Sequence, residues 1–448
     1  MPQKKNVREI ALDILTAVQK NKAYSNLSLN HAIKESELSA KDIGLLTELV
    51  YGTIQRDMTL DYYVSPFIKN PKKIQPWVLS LLKMTVFQMQ FLDRVPERAA
   101  VHEAVEIAKK RGHRGVASLV NGVLRTIGRE GVPQTSEIKD PLERISISTS
   151  HPLWLVKLWA SQFGIEKTEQ MCMENLNAPV QTSRVNLLKT SREEVLELLS
   201  DEGYMVEPST LNEDGIRCLR GNIALSNAYK NGLISIQDES SMLVAHAVSP
   251  SDEDMVLDSC AAPGGKTTHM GERMANHGRI IALDLHAHKT KLIEEQAMRL
   301  GLSNIETRQM DARKIRECFE PQTFDKILVD APCSGLGVLK RKPDAKYTKT
   351  EADLHSLSVI QLNILEKVSS LVKTGGTITY STCTVGKEEN EAIIDAFLEQ
   401  NKDFERDLSL VDRLPEAVKP YVNGNSVQIL PQYFGSDGFF IASIRRKA

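Results

Sequence analysis

Hydrophobic residues in the first 130 positions recur every three or four residues, which is the spacing of one face of an α-helix. Five stretches show this pattern: Val7 to Val18, Ile43 to Val50, Val78 to Met89 after the helix-starting Pro76, Ala100 to Ala108, and Val116 to Ile127. Since no alternating strand pattern interrupts them, we predict an all-α domain over residues 1–135. The segment 128–136 then loses the period and collects turn residues, which predicts a domain boundary near 130–150.

The pattern changes over residues 150–235. A short helix is predicted around Trp154 to Phe163, a strand from Ser183, and a helix from Glu193 to Leu199 that ends before Gly203. Strand-like pieces follow. This mixture predicts a small α+β linker domain.

From residue 236 to residue 448, short β-rich apolar runs alternate with helical ones. Four runs have the character of central strands: Met255-Val-Leu-Asp, Arg279-Ile-Ile-Ala-Leu-Asp, Phe324-Asp-Lys-Ile-Leu-Val-Asp and Gly376-Thr-Ile-Thr-Tyr-Ser. This alternation predicts an α/β doubly wound, Rossmann-like parallel sheet. Turn residues lead into a last β-rich run at Gly435 to Ile444, which we expect to close the sheet as an antiparallel edge. The chain is therefore predicted to be multidomain.

The formal net charge of −2 hides a gradient along the chain. Residues 1–140 carry a net +6 and the remaining residues carry −8, so the positive charge lies in the predicted helical domain. No apolar run approaches the roughly 18 residues of a membrane span. The start of the chain leads into an amphipathic pattern rather than a signal peptide. We expect a cytoplasmic protein with no membrane partner.

The six cysteines contain no CxxC pair, which argues against a zinc site and, in a large cytosolic chain, against a disulfide framework. His286 and His288 are one residue apart, but no third ligand lies near them in the sequence. We therefore expect both histidines on the surface and no metal in the protein.

A loop rich in small residues follows the first predicted strand of the α/β domain and opens a helix, where backbone N–H groups can approach a ligand closely. A dinucleotide fingerprint is absent, and a phosphate loop fails because its first glycine is replaced by Cys260. A nucleoside without a triphosphate remains. The predicted cofactor loop consists of Cys260, Ala261, Ala262, Pro263, Gly264, Gly265 and Lys266.

Three carboxylates are predicted to end elements at the same edge of the sheet as this loop. Asp284 ends the second strand about 20 residues past the loop, the usual place for a carboxylate that binds ribose hydroxyls. Asp311 and Asp330 follow on later elements. Several carboxylates in one crevice suit a ribose, an adenine and a cationic sulfonium, and they repel phosphates. We therefore predict that the cofactor is S-adenosylmethionine, which leaves as S-adenosylhomocysteine.

Two cysteines are also predicted to follow strands at this edge, Cys333 in Asp330-Ala-Pro-Cys-Ser-Gly and Cys383 in Tyr380-Ser-Thr-Cys-Thr. The C5 atom of a pyrimidine is too weak a nucleophile to take a methyl group directly. Addition of a thiolate at C6 turns C5 into an enamine carbon that can attack. Asp330 is placed to hold a proton or a hydrogen bond at the N3 edge of the base as charge develops. The second thiol can assist the elimination that releases the product.

These residues belong to strings that closely resemble the NOL1/NOP2/Sun family of RNA cytosine-C5 methyltransferases. Six strings occur in family order over residues 180–448: Gln237-Asp-Glu-Ser-Ser, Asp258-Ser-Cys-Ala-Ala-Pro-Gly-Gly-Lys-Thr-Thr, Asp330-Ala-Pro-Cys-Ser-Gly, Arg341-Lys-Pro-Asp, Ser381-Thr-Cys and Glu388-Glu-Asn-Glu. The resemblance implies that Cys383 is the nucleophile and that Cys333 serves product release. DNA cytosine methyltransferases use the Pro-Cys thiol instead, and the Ser-Thr-Cys string favours RNA over DNA.

The N-terminal part resembles the NusB-like helical RNA-binding domain in three strings: Leu45-Leu-Thr-Glu-Leu-Val-Tyr-Gly-Thr, Val101-His-Glu-Ala-Val-Glu-Ile-Ala-Lys-Lys and Val120-Asn-Gly-Val-Leu-Arg. With this domain attached, the chain is similar to bacterial members of the family that methylate small-subunit (16S) ribosomal RNA. The resemblance implies methyl transfer to C5 of a specific cytosine through a covalent Cys–C6 adduct. The basic stretches 109–114 and 340–349 are candidate RNA contacts.

One hypothesis from another class stays open at this stage. Under this hypothesis the chain is an RNA-binding assembly factor whose nucleotide-binding fold has lost its catalytic activity, or an ATP-driven assembly factor that uses Gly265-Lys-Thr. The presence of Cys333, Cys383 and Asp330 together favours the enzyme, because a retired site has no use for two thiols at strand ends.

Overall fold

The computed structural model describes residues 6–21 and 25–448 of the chain. The first five residues, on which the expectation of no signal peptide partly depends, lie outside the described part. The chain divides into two compact units, one formed by residues 1–177 together with 339–348, and the other by residues 178–338 together with 349–448. The predicted domain ranges 1–135, 150–235 and 236–448 stay predictions.

The helices, in chain order, are α1 Val7–Asn21, α2 Ser25–Glu35, α3 Ala40–Gln55, α4 Asp57–Val64, α5 Pro76–Phe91, α6 Glu97–Arg111, α7 Arg114–Glu130, α8 Pro141–Thr149, α9 Leu153–Phe163, α10 Ile165–Glu174, α11 Arg192–Asp201, α12 Asn227–Lys230, α13 Glu239–Val248, α14 Gly265–Arg273, α15 Ala287–Leu300, α16 Ala345–Thr348, α17 Glu351–Ser369, α18 Glu391–Gln400, α19 Leu410–Arg413 and α20 Pro431–Phe434.

The strands are β1 Gln181–Val185, β2 Met205–Pro208, β3 Gly215–Arg220, β4 Ile234–Ile236, β5 Met255–Asp258, β6 Arg279–Asp284, β7 Ile305–Gln309, β8 Phe324–Asp330, β9 Val372–Thr382, β10 Phe404–Arg406, β11 Val422–Asn423, β12 Ser426–Ile429 and β13 Phe439–Arg446. Short 3-10 helices connect several of these elements, among them Ala312–Glu317 after β7 and Lys387–Glu389 after β9.

The first unit is helical in its described residues, which confirms the predicted all-α N-terminal part. Local sequence signals explain several helix ends: the Ser39 side chain caps α3 by accepting from Asp42 N, and Pro76 begins α5. The predicted apolar faces meet in one core. It is built from side chains of α1, α3, α5, α6 and α7, among them Leu12, Leu46, Leu49, Leu81, Leu82, Val120 and Leu124.

The second unit begins with a small antiparallel sheet in the order β2-β3-β1-β4. Helix α11 packs on it and begins with a capping box formed by Ser191 and Glu194. The buried cluster beneath includes Val185, Val195 and Ile216. The predicted α+β character of this segment is confirmed.

The large sheet has the order β11-β12-β13-β9-β8-β5-β6-β7, and β10 pairs with β13. Strands β7, β6, β5, β8 and β9 are parallel, as predicted for a doubly wound fold. Successive residues of a strand are buried on opposite faces: Leu257 packs with α17 and α18, whereas Val256 packs with α13 and α14. Burial on both faces explains why these strands are continuous apolar runs in the sequence.

The expectation that the last run closes the sheet as an edge is wrong. Strand β13 is antiparallel to β9, as expected, but β12 pairs with its other side and β11 pairs with β12. The short run Ser426–Ile429 was not recognised as a strand because turn residues flank it and only two of its side chains are buried. The described chain contains no helix with the length and apolar character needed to span a bilayer.

Candidate active site

The predicted site residues lie along one edge of the large sheet, at the carboxyl ends of its parallel strands. In spatial order this edge presents Asp311 after β7, Asp284 at the end of β6, the loop after β5, Asp330 at the end of β8, and Cys383 after β9. Strand order reverses at β5, because β6 lies on one side of it and β8 on the other. Ligands of doubly wound sheets bind at such a reversal.

The loop after β5 leads directly into α14. Gly264 has a φ of +103°, a conformation that L side chains rarely adopt, and a Cβ there would lie 3.2 Å from the Cα of Ile293 in α15. The peptide between Ala262 and Pro263 is cis. Burial raises the pKa of Cys260, so this cysteine is a neutral thiol. Up to Gly265 the loop thus offers small, uncharged groups, together with the N-terminal N–H groups of α14.

The two carboxylates at the far end of the edge are held by their own chain neighbours. An oxygen of Asp284 accepts a 3.0 Å hydrogen bond from the N–H of His286, and Lys289 Nζ lies 3.9 Å from the same oxygen. Asp311 caps the 3-10 helix that follows β7 and accepts hydrogen bonds from the Arg313 guanidinium at 2.7 and 2.9 Å. These hydrogen bonds from Arg313 lower the pKa of Asp311.

Asp330 joins the loop side of the crevice to the thiol side. One of its carboxylate oxygens accepts from Lys266 Nζ at 2.7 Å, and the other accepts from Ser381 Oγ at 2.8 Å. Burial disfavours the Lys266 ammonium, but the charges of Asp330 and Cys383 outweigh burial and raise the pKa of Lys266. Lys266 therefore stays a cation between the predicted cofactor loop and the thiols.

The structure brings the two predicted cysteines together, with 3.2 Å between Cys333 Sγ and Cys383 Sγ. Strands β8 and β9 are adjacent and pair Asp330 with Ser381, so the loops that follow both strands begin side by side. Hydrogen bonding with Cys383 is the largest cause that raises the pKa of Cys333, and burial adds to it. Cys333 is consequently a protonated thiol when its neighbour carries negative charge.

Residues that follow the two cysteines bind each other, and the sequence did not single them out. Ser334 donates from its N–H and its Oγ to the two oxygens of Glu389, at 2.8 and 2.6 Å. The hydroxyls of Ser334 and Thr384 are 2.9 Å apart. Asn390 accepts from Thr382 Oγ1 at 2.6 Å and donates to Thr384 O at 3.2 Å. In the sequence, the Glu388-Glu-Asn-Glu string is the signal that marks these residues.

A second missed residue lies at the centre of the edge. Asp258 ends β5 and accepts a 2.7 Å hydrogen bond from Thr267 Oγ1, the third residue of α14. Its complete burial, together with the nearby Asp330 charge, raises its pKa to about 7. The end of β5 is therefore fastened to α14 by a carboxyl group whose pKa is raised into the neutral range.

Histidines behave partly as expected. His286 and His288 are exposed, which confirms their predicted surface position. A buried group formed by Asp214, His246 and His269 was missed, although its ligand atoms lie within 4.8 Å of one another. The nearby cations Arg273 and Arg184 add to burial in lowering the pKa of His246 to about 4 and that of His269 to about 3. These cations also disfavour a further positive charge, so we describe the group as a network around the 3.1 Å contact between His269 Nε2 and Asp214.

The two basic stretches differ in what they leave exposed. In the first, Lys109, Lys110 and Arg111 form ion pairs with acidic residues of the same unit, and His113 caps α7. These side chains remain partly or largely exposed.

In the second stretch, Lys340 is buried in an ion pair with Glu174, and Lys346 is fully buried and donates to the carbonyl of Gln55 at 2.8 Å. The expectation that the whole stretch binds phosphates is wrong for these two lysines, because both are buried and bind partners within the first unit. Lys342 is the lysine of this stretch that is exposed.

The geometry combines a polarised thiol pair, an ammonium–carboxylate pair and a crevice lined by small residues and carboxylates. Such a site can support nucleophilic addition to an electron-poor ring while a neighbouring ligand is held by its hydroxyl groups.

Comparison with family models divides the chain into three regions. Residues 245–445 match the model described as 16S rRNA methyltransferase RsmB/F, residues 5–129 match the NusB family, and residues 151–223 match the ferredoxin-like domain of RsmF/B-like methyltransferases. The first region contains the parallel sheet and the second contains the helical core, whereas the third runs from α9 to β3 and so includes three strands of the small sheet.

Full-length relatives are similar as well. A probable ribosomal RNA small subunit methyltransferase B of Bacillus subtilis is 55% identical over 445 residues, which covers 99% of this chain and 100% of the relative. The ribosomal RNA small subunit methyltransferase B of Pseudomonas syringae pv. tomato is 32% identical, covering 98% and 96%.

Among solved structures, PH0851 is 26% identical with a TM-score of 0.81 and covers 99% of this chain and 100% of its own. A methyltransferase homolog from Pyrococcus horikoshii is 28% identical with a TM-score of 0.58, covering 69% of this chain and 100% of its own.

Proposed function

Because this chain belongs to the family of ribosomal RNA small subunit methyltransferases, we propose that it methylates C5 of a specific cytosine in small-subunit (16S) ribosomal RNA. The methyl donor is S-adenosylmethionine, and the reaction passes through a covalent bond between Cys383 and C6 of the base. The observation that carries this proposal is the 3.2 Å contact between two thiols beside a Lys266–Asp330 pair.

The cofactor is assigned to the part of the edge between β5 and β7. It supplies an electrophilic methyl group. Asp284 accepts hydrogen bonds from the ribose hydroxyls, the loop from Cys260 to Lys266 lies along the nucleoside, and Asp311 lines the adenine side. The positive φ and tight packing of Gly264 support this assignment, since they require that position of the loop to have no side chain.

For the attack, Cys383 must carry a negative charge. The Lys266 ammonium supports that charge, and its pKa is raised in part by Cys383. The Cys383 sulfur adds to C6, the C5–C6 double bond opens, and C5 becomes the nucleophile that takes the methyl group. Asp330, held between Lys266 and Ser381, faces the N3 edge of the base and must hold a proton there, so that a hydrogen bond to N3 stabilises the negative charge that builds on the ring.

For release, a base removes the C5 proton and the electrons of that bond re-form C5–C6 as Cys383 leaves. The Cys333 thiol, 3.2 Å from Cys383 Sγ, donates its proton in a hydrogen bond to the departing sulfur. This assigns attack and release to different thiols. No step requires a metal, and DNA is not the proposed substrate.

The helical unit is proposed to bind the ribosomal RNA. Residues 5–129 match the NusB family, and the exposed basic residues of the stretch 109–114, with Arg114 among them, supply cations for phosphates. The protein is accordingly proposed to act in the cytoplasm, where its RNA substrate is made.

The test is methylation of small-subunit rRNA taken from a strain that lacks this gene, with labelled S-adenosylmethionine as donor. After digestion to nucleosides, the label is expected in 5-methylcytidine at one position. Cys383→Ala should transfer no label. Cys318→Ala, which removes an exposed cysteine, is the matched control and should behave as wild type. Label in another nucleoside would refute the C5 assignment.

A further inference from the structure

Glu389 connects the two loops that carry the active-site cysteines. It accepts both the N–H and the hydroxyl of Ser334, the residue after Cys333. The Ser334 hydroxyl also lies 2.9 Å from the hydroxyl of Thr384, the residue after Cys383. Gln361 of α17 completes the arrangement by donating to Glu389 at 3.0 Å and to the carbonyl of Pro332 at 2.9 Å.

The carboxylate is built into the protein rather than placed at its surface. Glu389 is fully buried, and its pKa is raised by that burial while the hydrogen bonds from Ser334 and Gln361 oppose the rise. A buried carboxylate is costly unless it is well hydrogen bonded. Three hydrogen-bond donors on two other segments offset this cost. A neutral side chain would cost less to bury at this position, which indicates that the charge of Glu389 has a role.

We propose that Glu389 is a positioning residue that locks the two cysteine loops together and holds the shared proton of the thiol pair on Cys333, leaving the negative charge on Cys383. The role of Glu389 in methylation rests on the proposed function, whereas its effect on the two thiols does not. The two thiols are chemically identical, and the different charges on either side of the pair give them different roles.

The charges around the pair are arranged with opposite signs. On the Cys333 side, the Glu389 carboxylate contributes to raising the pKa of that thiol, after the hydrogen bond with Cys383 and burial. On the Cys383 side lies the Lys266 ammonium, which is itself paired with Asp330. Tyr380 is buried, and its burial together with the charges of Cys333 and Glu389 raises its pKa, so it is a neutral phenol.

The Lys349 ammonium acts on Glu389 and partly offsets its burial. The proton of the pair is therefore attracted towards the carboxylate, and the anionic sulfur is attracted towards the ammonium. Cys333 donates its S–H to Cys383, which is the direction required for attack by Cys383 and for assistance by Cys333 when Cys383 departs.

The experiment measures the ionisation of Cys333 without RNA or cofactor. In the full-length Cys383→Ala protein, alkylation of Cys333 by iodoacetamide is followed from pH 7 to pH 11 by mass spectrometry of its peptide. Adding Glu389→Gln is expected to move the alkylation midpoint down by about one pH unit, because a like charge near the thiolate has been removed. Glu389→Asp should restore the higher midpoint in part.

Two controls separate charge from exposure. Glu388→Gln removes the carboxylate of the preceding residue and should leave the midpoint in place, because it is Glu389 that accepts both hydrogen bonds from Ser334. Exposed Cys318 gives the rate of an unprotected thiol. An unchanged midpoint in Glu389→Gln would overturn the proposal. So would a lower midpoint accompanied by a plateau rate equal to that of Cys318, because the change would then come from opening of the loop.

A second measurement uses the thiols in their native pair. Glu389→Gln with both cysteines present is expected to lose at least tenfold in methyl transfer at pH 7 and to keep its affinity for S-adenosylmethionine. When Cys333 is also changed to Ser, whose less acidic hydroxyl keeps the proton away from Cys383, formation of the covalent adduct with RNA should recover on a denaturing gel. If no methyl transfer to cytosine exists at all, the alkylation result still decides the assignment of the proton.

Discussion

The two ends of the sheet edge are built in different ways. At the thiol end, Cys333, Cys383 and Asp330 are joined to one another, directly or through Ser334, Ser381 and Glu389. At the carboxylate end, Asp284 and Asp311 are each held by residues two positions further along the chain. Side chains that share partners fail together when one is changed, whereas separately held side chains contribute independently. Changes at the thiol end should therefore be strongly coupled to one another, whereas changes at the carboxylate end should lower cofactor affinity independently.

The largest effect is expected from Cys383→Ala. Methyl transfer should fall below a few per cent of wild type, because the sulfur that opens the C5–C6 bond is gone, while cofactor affinity should be unchanged. Cys383→Ser should be nearly as inactive. Both rates are measured with labelled donor and rRNA, and affinity by calorimetry. Substantial activity in the alanine variant would contradict the assignment of Cys383 as the nucleophile and the coupling proposed for the thiol end.

Cys333→Ala is expected to accumulate enzyme joined covalently to RNA, because addition and methyl transfer remain possible and elimination is slowed. A slow band should appear on a denaturing gel with labelled substrate RNA. It should vanish in the Cys333→Ala/Cys383→Ala double variant. The reverse pattern, with adduct in Cys383→Ala that is lost on removing Cys333, would exchange the roles of the thiols.

At the other end, Asp284→Ala should raise the Kd for S-adenosylmethionine at least tenfold. Two hydrogen bonds to a charged group, at about 1.5–3 kcal/mol each, account for a change of this size. Asp311→Ala should cost less, because the Arg313 guanidinium already occupies much of that carboxylate. Calorimetry on both single variants and the double variant checks independence: strongly non-additive losses would contradict it.

The smallest effect concerns Asp258, between the two ends. Its pKa of about 7 lies above the ordinary value of 3.8, so the folded protein binds more protons than the unfolded chain between these limits. The stability that this carboxyl contributes is fully present below about pH 4 and is lost as the pH rises through 7.

Asp258→Asn keeps an acceptor for Thr267 and removes this loss. Between pH 5 and pH 7, the free energy of unfolding of the variant should rise relative to that of wild type by at most about 1.4 kcal/mol per pH unit. Calorimetric unfolding at pH 5 and pH 8 gives the comparison. A difference that does not grow with pH would place the proton elsewhere.

Sequence patterns predicted the parts of this molecule that depend on local order. The helical period located α1, α3, α5, α6 and α7, and the motifs identified the family correctly. The residues Lys266, Asp330, Cys333 and Cys383 were named and are found together, because carboxyl ends of parallel strands share one edge.

What escaped prediction depends on contacts between distant segments. Glu389 meets Ser334 across 55 positions, and His269 meets Asp214 across the same number. The burial of Lys340 and Lys346 was equally hidden, since a run of basic residues predicts a solvated face. Lys340 forms its ion pair with Glu174, a residue 166 positions earlier in the chain.

The short segment 339–348 completes the first unit from far along the chain. The Lys346 amino group donates to the carbonyl of Gln55 across 291 positions, and the Tyr347 hydroxyl donates to the carbonyl of Ser150. During synthesis, therefore, the ribosome has produced strands β1 to β8 before the helical unit receives its last turn. Maturation of that unit must wait for translation to pass Thr348, and a nascent chain arrested earlier exposes the carbonyl that Lys346 will later cover.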